Sequence, residues 1–102
     1  MSQAAISEAS PGVLSLSGVL DYLSAPALRE QGARLLKASP AAVCVLDCAG
    51  VEKSSSVGLS LLLAFMRDAR LAGKTLSVSN LPKEMREIAG VCGLLEILPL
   101  QA

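Results

Sequence analysis

Three consecutive serines, Ser54, Ser55 and Ser56, form the most chemically suggestive feature of the chain. A serine becomes a nucleophile when a general base takes its proton, and the usual base is a histidine. The chain contains no histidine, so a Ser-His-Asp arrangement is excluded. Lys53 is the nearest alternative base, but nothing around it indicates the desolvated pocket that a Ser-Lys pair requires. The serines therefore do not predict a hydrolase.

Patterns that bind phosphates or metals are also missing. Ser55–Gly58 lacks the glycines and the lysine of a phosphate-binding loop. The three cysteines, Cys44, Cys48 and Cys92, show no CxxC spacing, and no histidine completes a zinc site. We expect them to be small buried hydrophobic residues. The sequence thus predicts a protein that is not an enzyme and needs no metal or cofactor.

The overall charge argues against a nucleic-acid partner. Nine basic and nine acidic residues cancel, and no segment concentrates either sign. Nucleic-acid binding normally needs a basic stripe, and single-strand binding also needs stacking aromatic residues, of which this chain has only two. We therefore expect no nucleic-acid binding.

Hydrophobicity argues against insertion into a membrane. The longest dense apolar run, Val57–Met66, covers about half of the roughly twenty residues that a membrane-spanning helix requires. Met1–Gly12 shows neither the basic start nor the apolar stretch of a signal peptide. We expect a cytoplasmic protein without direct membrane insertion.

Hydrophobic periodicity predicts the elements that position the serines. They follow one another as β-β-α-β-α-β-α: strands near Ala4–Glu8 and Val13–Leu20, a helix from Pro26 to about Ser39, a strand at Ala41–Leu46, the serine loop, a helix at Ser56–Leu71, a strand at Thr75–Ser79, and a helix from Pro82 to about Val91. Leu94–Leu98 is consistent with a last strand or a helical end.

This order predicts the fold class. Strands separated by helices favour parallel neighbours joined by right-handed crossovers, whereas the Ser10-Pro11-Gly12 turn predicts an antiparallel hairpin at the start. We expect one α/β domain over residues 1–102, a sandwich of a mixed sheet with helices packed against it. The continuously apolar run Ala41–Leu46 predicts a central strand that is covered on both faces.

The second helix has more apolar residues than one packed face requires. Leu59, Leu62 and Met66 recur at helical spacing and would face the sheet, while Leu61 and Phe65 point in other directions. Either the flanking helices cover these residues, or they form an exposed docking patch. At the start of this helix, Ser56 can cap the helix, accept a phosphate or contact a partner.

Two pairs of segments resemble the STAS domains of anti-sigma-factor antagonists and of sulfate-transporter tails. Leu16–Asp21, followed by Ala25–Arg29, resembles the second strand and first helix of that family. Leu46–Val51, followed by Ser55–Leu59, resembles its central strand and signature loop. The resemblance covers most of the chain and implies a STAS-like α/β sandwich.

In antagonist members of the family, the loop reads Asp-Ser-(Ser or Thr)-Gly-Leu, and an anti-sigma factor kinase phosphorylates the serine after the aspartate. Alignment on Gly58-Leu59 places this serine on Ser56. Ser55 replaces the aspartate, and Val57 replaces the usual small or polar residue. One function that the resemblance implies is therefore an anti-sigma-factor antagonist that is controlled by phosphorylation of Ser56.

The segment Gly58–Leu63 is more similar to the Gly-Leu-Ala-Leu-Leu-Leu pattern of the small STAS subunit of Mla-type phospholipid ABC transporters. This similarity implies an accessory subunit that maintains outer-membrane lipid asymmetry, binds the transporter ATPase subunit and lies peripheral to the inner membrane through that partner. Ser56 would be the interface hydroxyl. The expected partner-binding surface also contains Ser55, Val57, Ser60, Leu61 and Phe65. We favour this second role because Ser55 replaces the aspartate.

Overall fold

A computed structural model of the chain describes residues 3–100, so the ends of the expected domain lie outside the described residues. The elements follow the predicted order: β1 (Ala5–Ser10), β2 (Val13–Leu20), α1 (Ala25–Ala38), β3 (Val43–Ser54), α2 (Ser56–Leu71), β4 (Thr75–Ser79) and α3 (Lys83–Val91). The bounds of α2 are those predicted from the sequence. Gly73, at φ 72°, follows its C-terminal cap Ala72.

The four strands form one mixed sheet in the order β1-β2-β3-β4. The β1–β2 pair is antiparallel, and its turn contains Gly12 at a φ of 80°, which glycine adopts without strain. The β2–β3 and β3–β4 pairs are parallel. Right-handed crossovers between successive neighbours in one direction place α1 and α2 on the same face of the sheet. The predicted α/β sandwich is confirmed.

Burial shows that the helices cover only one face. Along β3, Cys44, Leu46 and Cys48 are buried under the helix layer, whereas Val43 is exposed and Val45 is half-buried. The expectation that this strand is covered on both faces is therefore wrong. Its apolar residues are continuous in sequence, but no helix of residues 3–100 packs on the side where the odd-numbered residues point.

The helix α1 covers the apolar surplus of α2. Leu61 and Phe65 are only 3% and 1% exposed, so of the two alternatives for these residues the structure supports coverage by a flanking helix and not an exposed docking patch. The cause is Gly32 of α1, where an added Cβ would overlap the Phe65 ring. The missing side chain lets the two helices approach closely enough to enclose Phe65.

Two of the three cysteines are buried as predicted, and all three are free thiols. Burial raises the pKa of Cys48 to about 12, and the negative charge of Asp47 adds to this effect. Cys92 is exposed, contrary to the expectation, because it lies in the turn after the last residue of α3, Val91. The segment Leu94–Leu98 forms turns rather than a strand or helix, and Leu100 then makes a parallel bridge to β4.

We predict that Gly32→Ala destabilises the domain by about 1–3 kcal/mol, because the new methyl group overlaps Phe65. Gly90→Ala in α3 is the matched control. Its Cβ would meet only Leu95 Cδ1 at 3.4 Å, so alanine should stabilise α3 by up to about 1 kcal/mol. Urea unfolding followed by circular dichroism measures both changes. Equal changes in the two variants would contradict the close approach of α1 and α2.

Candidate functional site

The expected serine loop is mostly strand. β3 continues through Glu52, Lys53 and Ser54, and the last two pair with Val19 and Leu20 of β2. Two register shifts interrupt the β2–β3 ladder before this point. Because the carboxyl ends of these parallel strands lie side by side, α1 and α2 both begin at the same edge of the sheet.

Ser55 is the single residue between β3 and α2. Its N–H, carbonyl and hydroxyl groups all take part in hydrogen bonds. Its N–H donates to the Leu20 carbonyl at 3.3 Å. Its carbonyl accepts from Gly58 N at 3.0 Å and from the Ser54 hydroxyl at 2.8 Å. Its hydroxyl accepts from Val57 N at 3.2 Å, which makes Ser55 the N-cap of α2.

Ser56 is the first residue of α2 and is exposed. The structure gives the capping role to Ser55, and within residues 3–100 the Ser56 hydroxyl makes no hydrogen bond. The first turn of α2 contains no acidic residue. The N–H groups of Val57 and Gly58 already donate to Ser55, so it is the positive end of the helix dipole that favours an anion or a polar partner group at Ser56.

Gly58 allows the start of α2 to pack closely against the end of β3. A Cβ at this position would overlap the Ser54 hydroxyl and would lie 3.1 Å from Met85 Cε of α3. Ser54 is itself buried. The Ser55 turn is thus fixed between the sheet and two helices, and it presents Ser56 in a defined direction.

The loop between β2 and α1 lies beside this turn. Oδ1 of Asp21 accepts from the N–H groups of Leu23 and Ser24, both at 3.0 Å. The Ser24 hydroxyl donates to the Val19 carbonyl at 3.1 Å. These bonds hold the loop, yet Tyr22 and Leu23 are 73% and 75% exposed.

Tyr22 and Leu23 are candidates that the sequence analysis missed. The sequence feature that could have indicated them is Tyr22 itself. It is the only tyrosine of the chain and directly follows an aspartate in a predicted loop. Together with Ser56, Val57 and Ser60, Tyr22 and Leu23 make up what we term the serine-edge surface. Next to it, a groove of about 450 Å³ lies between α1 and α2. The groove is lined by Ala25, Pro26, Arg29, Val57, Ser60, Leu61 and Ala64.

The structure brings most of the predicted site residues together at this surface. Ser56 and Ser60 are exposed, Val57 is half-buried, and Ser55 caps the helix between them and the sheet. Leu61 lines the groove despite its small exposure. Phe65 belongs to the core instead.

Two searches within residues 3–100 gave negative results. No helix there has the length and apolar character needed to cross a membrane. No group of three or more histidine, cysteine or acidic side chains is arranged to hold a metal ion.

A family model described as "Mlab, STAS domain" matches residues 4–99. This chain belongs to the STAS domain family. STAS domains are generally non-catalytic regulatory or accessory domains. No curated protein matches the chain.

Solved structures of two kinds resemble this STAS domain. One chain of the Acinetobacter MlaFEDB complex in an ATP-bound conformation aligns with a TM-score of 0.82 and 23% identity, over 95% of this chain and 99% of that one. An anti-sigma factor antagonist from Mycobacterium paratuberculosis aligns with a TM-score of 0.75 and 28% identity, over 96% and 83%. The phosphorylated Bacillus cell fate determinant SpoIIAA aligns with a TM-score of 0.65 and 16% identity, over 98% and 92%. The STAS fold is thus shared with both groups.

We predict that Ser55→Ala lowers the free energy of unfolding by about 1 kcal/mol, because it removes the N-cap of α2. Ser56→Ala should change it by less than about 0.5 kcal/mol, because an exposed hydroxyl without a partner is lost. Urea titrations of the two variants provide the comparison. A larger loss in Ser56→Ala would show that the cap has been assigned to the wrong serine.

Proposed function

We propose that this STAS domain is a non-catalytic accessory subunit of a phospholipid-transporting ABC complex that maintains outer-membrane lipid asymmetry. It binds the ATPase subunit on the cytoplasmic side of the inner membrane and supports its activity. One observation carries the proposal: the family model that matches residues 4–99 is the Mlab model. The similar chain of the MlaFEDB complex also has nearly the same extent, since the alignment covers 95% of this chain and 99% of that one.

The chemistry at the start of α2 supports this role. In the antagonists that this chain resembles, an aspartate immediately precedes the phosphorylated serine. This chain has Ser55 at that position instead. The Ser55 hydroxyl accepts the Val57 N–H, so it performs the capping role without placing a negative charge next to Ser56. An uncharged turn suits a permanent contact between Ser56 and a partner.

The shape of the serine-edge surface supports protein binding. Tyr22 and Leu23 are large, exposed and held on a hydrogen-bonded loop, and tyrosine is enriched among the residues that dominate binding energy. The adjacent groove has Leu61 and Ala64 among its apolar lining residues. In the proposed complex, an apolar side chain of the ATPase enters this groove while Ser56 and Ser60 hydrogen-bond at its rim.

A second candidate function is an anti-sigma-factor antagonist. The similarity to the Mycobacterium paratuberculosis antagonist, at 28% identity over 96% of this chain, favours it. Ser56 is exposed at a helix N-terminus, where the positive end of the helix dipole would stabilise a phosphate. Intact-mass measurement after incubation with candidate kinases and ATP tests this function, with Ser56→Ala as the control.

Affinity purification of the tagged chain from its native cell tests the proposed function. We predict recovery of an ABC ATPase together with its permease. Ser56→Glu should weaken binding to the recovered ATPase by about tenfold or more, because a desolvated charge without a partner costs at least about 1.4 kcal/mol. Isothermal titration calorimetry with the purified ATPase measures the change.

Ser7→Glu is the matched control, because Ser7 is an exposed serine on β1, away from α2. It should bind like the wild type. Leu61→Asp is not a useful binding variant, since Leu61 is buried and the aspartate would unfold the domain. Recovery of only a sigma-regulating kinase, or equal binding by Ser56→Glu and wild type, would contradict the proposal.

A further inference from the structure

The two outer strands of the sheet differ in how their free edges are covered. Along β4, the Val78 N–H donates to the Pro99 carbonyl at 2.8 Å, and Leu100 forms a parallel bridge with Val78. Along the outer edge of β1, no segment of residues 3–100 pairs as a strand or bridge. An outer strand whose N–H and C=O groups have no partner is a template for another strand.

The sequence of β1 has few of the features that protect such an edge. Lysines, prolines and bulges are the usual ones. Ala5–Ser10 contains neither lysine nor proline. Its one charged residue, Glu8, accepts a hydrogen bond from Gly12 N at 3.3 Å. The bulge lies between Glu8 and Ser10, so the strand is regular from Ala5 to Glu8 and remains available for pairing there.

Helix α1 adds an uncharged face above this edge. α1 packs against β1 as well as α2, and Gly32 marks the side of α1 that meets Phe65 of α2. The nearest charged residue to the opposite side, Arg34, pairs with Glu30. Helical geometry places three exposed residues without charge on the side towards β1: Ala27, Gln31 and Ala38.

The spacing of strands and helices allows a second copy to continue both layers. α1 lies over β1 and β2, and neighbouring strands are about 4.8 Å apart. When β1 pairs with β1 of a second copy about a two-fold axis, the two α1 helices lie about 10 Å apart. Helices pack at this distance, and small residues such as Ala27 and Ala38 favour the close approach.

We propose that this chain forms a two-fold dimer through the outer edge of β1, in which the four strands of each copy join into one continuous sheet. Antiparallel pairing centred on Ile6 brings the two Ile6 side chains, which belong to the core, together under the two α1 helices. Glu8 then lies opposite Ala4, so no like charges face each other. The interface is isologous, because each copy contributes the same strand and helix face.

The size of this interface indicates a reversible dimer. A strand of six residues is about 20 Å long, and a sheet with one helix layer is about 20 Å deep. The contact therefore buries at least about 400 Å² per copy, or about 800 Å² in total, which is typical of transient association rather than of a permanent dimer.

Other occupants fit this edge less well than a second copy. A lone strand of another protein would satisfy the backbone of β1 but would leave the uncharged face of α1 uncovered. Insertion into a lipid surface depends on large apolar residues and on cations. Among residues 3–100, the large exposed apolar residues all lie outside β1 and α1. A second copy supplies both a strand and a helix of matching spacing.

Sedimentation velocity of the isolated full chain, from about 10 μM to about 1 mM, tests the proposal in the concentration range of transient association. We predict a monomer–dimer equilibrium. Gln31 lies midway along α1, so its two copies meet near the two-fold axis. Gln31→Glu and Gln31→Lys should therefore each weaken the dimer by about fivefold or more, because like charges meet. An equal mixture of these two variants should associate at least as well as the wild type.

The matched controls are Arg86→Gln and Glu87→Gln at exposed positions of α3. They change the net charge by the same amounts as Gln31→Glu and Gln31→Lys, and they should dimerise like the wild type. Glutamine, glutamate and lysine have similar helix propensities, so α1 should remain folded in both Gln31 variants. Circular dichroism of each variant checks this.

A chain that is monomeric over the whole concentration range would overturn the proposal. So would equal association of the wild type and both Gln31 variants, or a mixture that associates no better than either variant alone. Growth beyond a dimer would exclude the closed two-fold pairing. Because no ATPase is present and the serine-edge surface lies at the carboxyl ends of β2 and β3, none of these results bears on the proposed function.

Discussion

The parallel pairing of β2 with β3 is the constraint on which the rest of the structure depends. The ladder extends from Val13↔Val45 to Leu20↔Ser54, and the Ser55 N–H adds one more bond to the Leu20 carbonyl. Because the two strands end together, α1 and α2 begin together and lie on the same face of the sheet. The exposed Tyr22 loop and Ser56 become neighbours for the same reason.

Packing between α1 and α2 then determines which apolar residues remain available to a partner. Gly32 admits the Phe65 ring, so this side of α2 becomes core rather than surface. The large exposed apolar residues of the helix pair therefore lie at its two ends rather than along the leucine-rich stripe of α2. Tyr22 and Leu23 lie beside its start, and Leu71 lies at its end.

Local signals were enough to predict the element order, the helix bounds and the class of the sheet. These signals are the apolar periodicity and the residues Pro26, Pro82 and Gly73. The extent of β3 could not be predicted, since Glu52 and Lys53 are typical of a loop and are held in the strand by pairing with β2. The burial of Phe65 depends on a glycine in another helix, which no local pattern reveals. Which serine caps α2 depends on where β3 ends, so that assignment also required the structure.

Hydrogen–deuterium exchange of this chain, with and without the ATPase that co-purifies with it, tests directly whether the ATPase contacts the serine-edge surface. We predict slower exchange in residues 21–26 and 56–64 of the complex, and unchanged exchange in β1, which is an outer strand of the sheet. The Ser55 turn should already exchange slowly in the free chain, because its N–H is bonded to Leu20. Protection confined to β1 or α3, with residues 21–26 and 56–64 unchanged, would contradict the account.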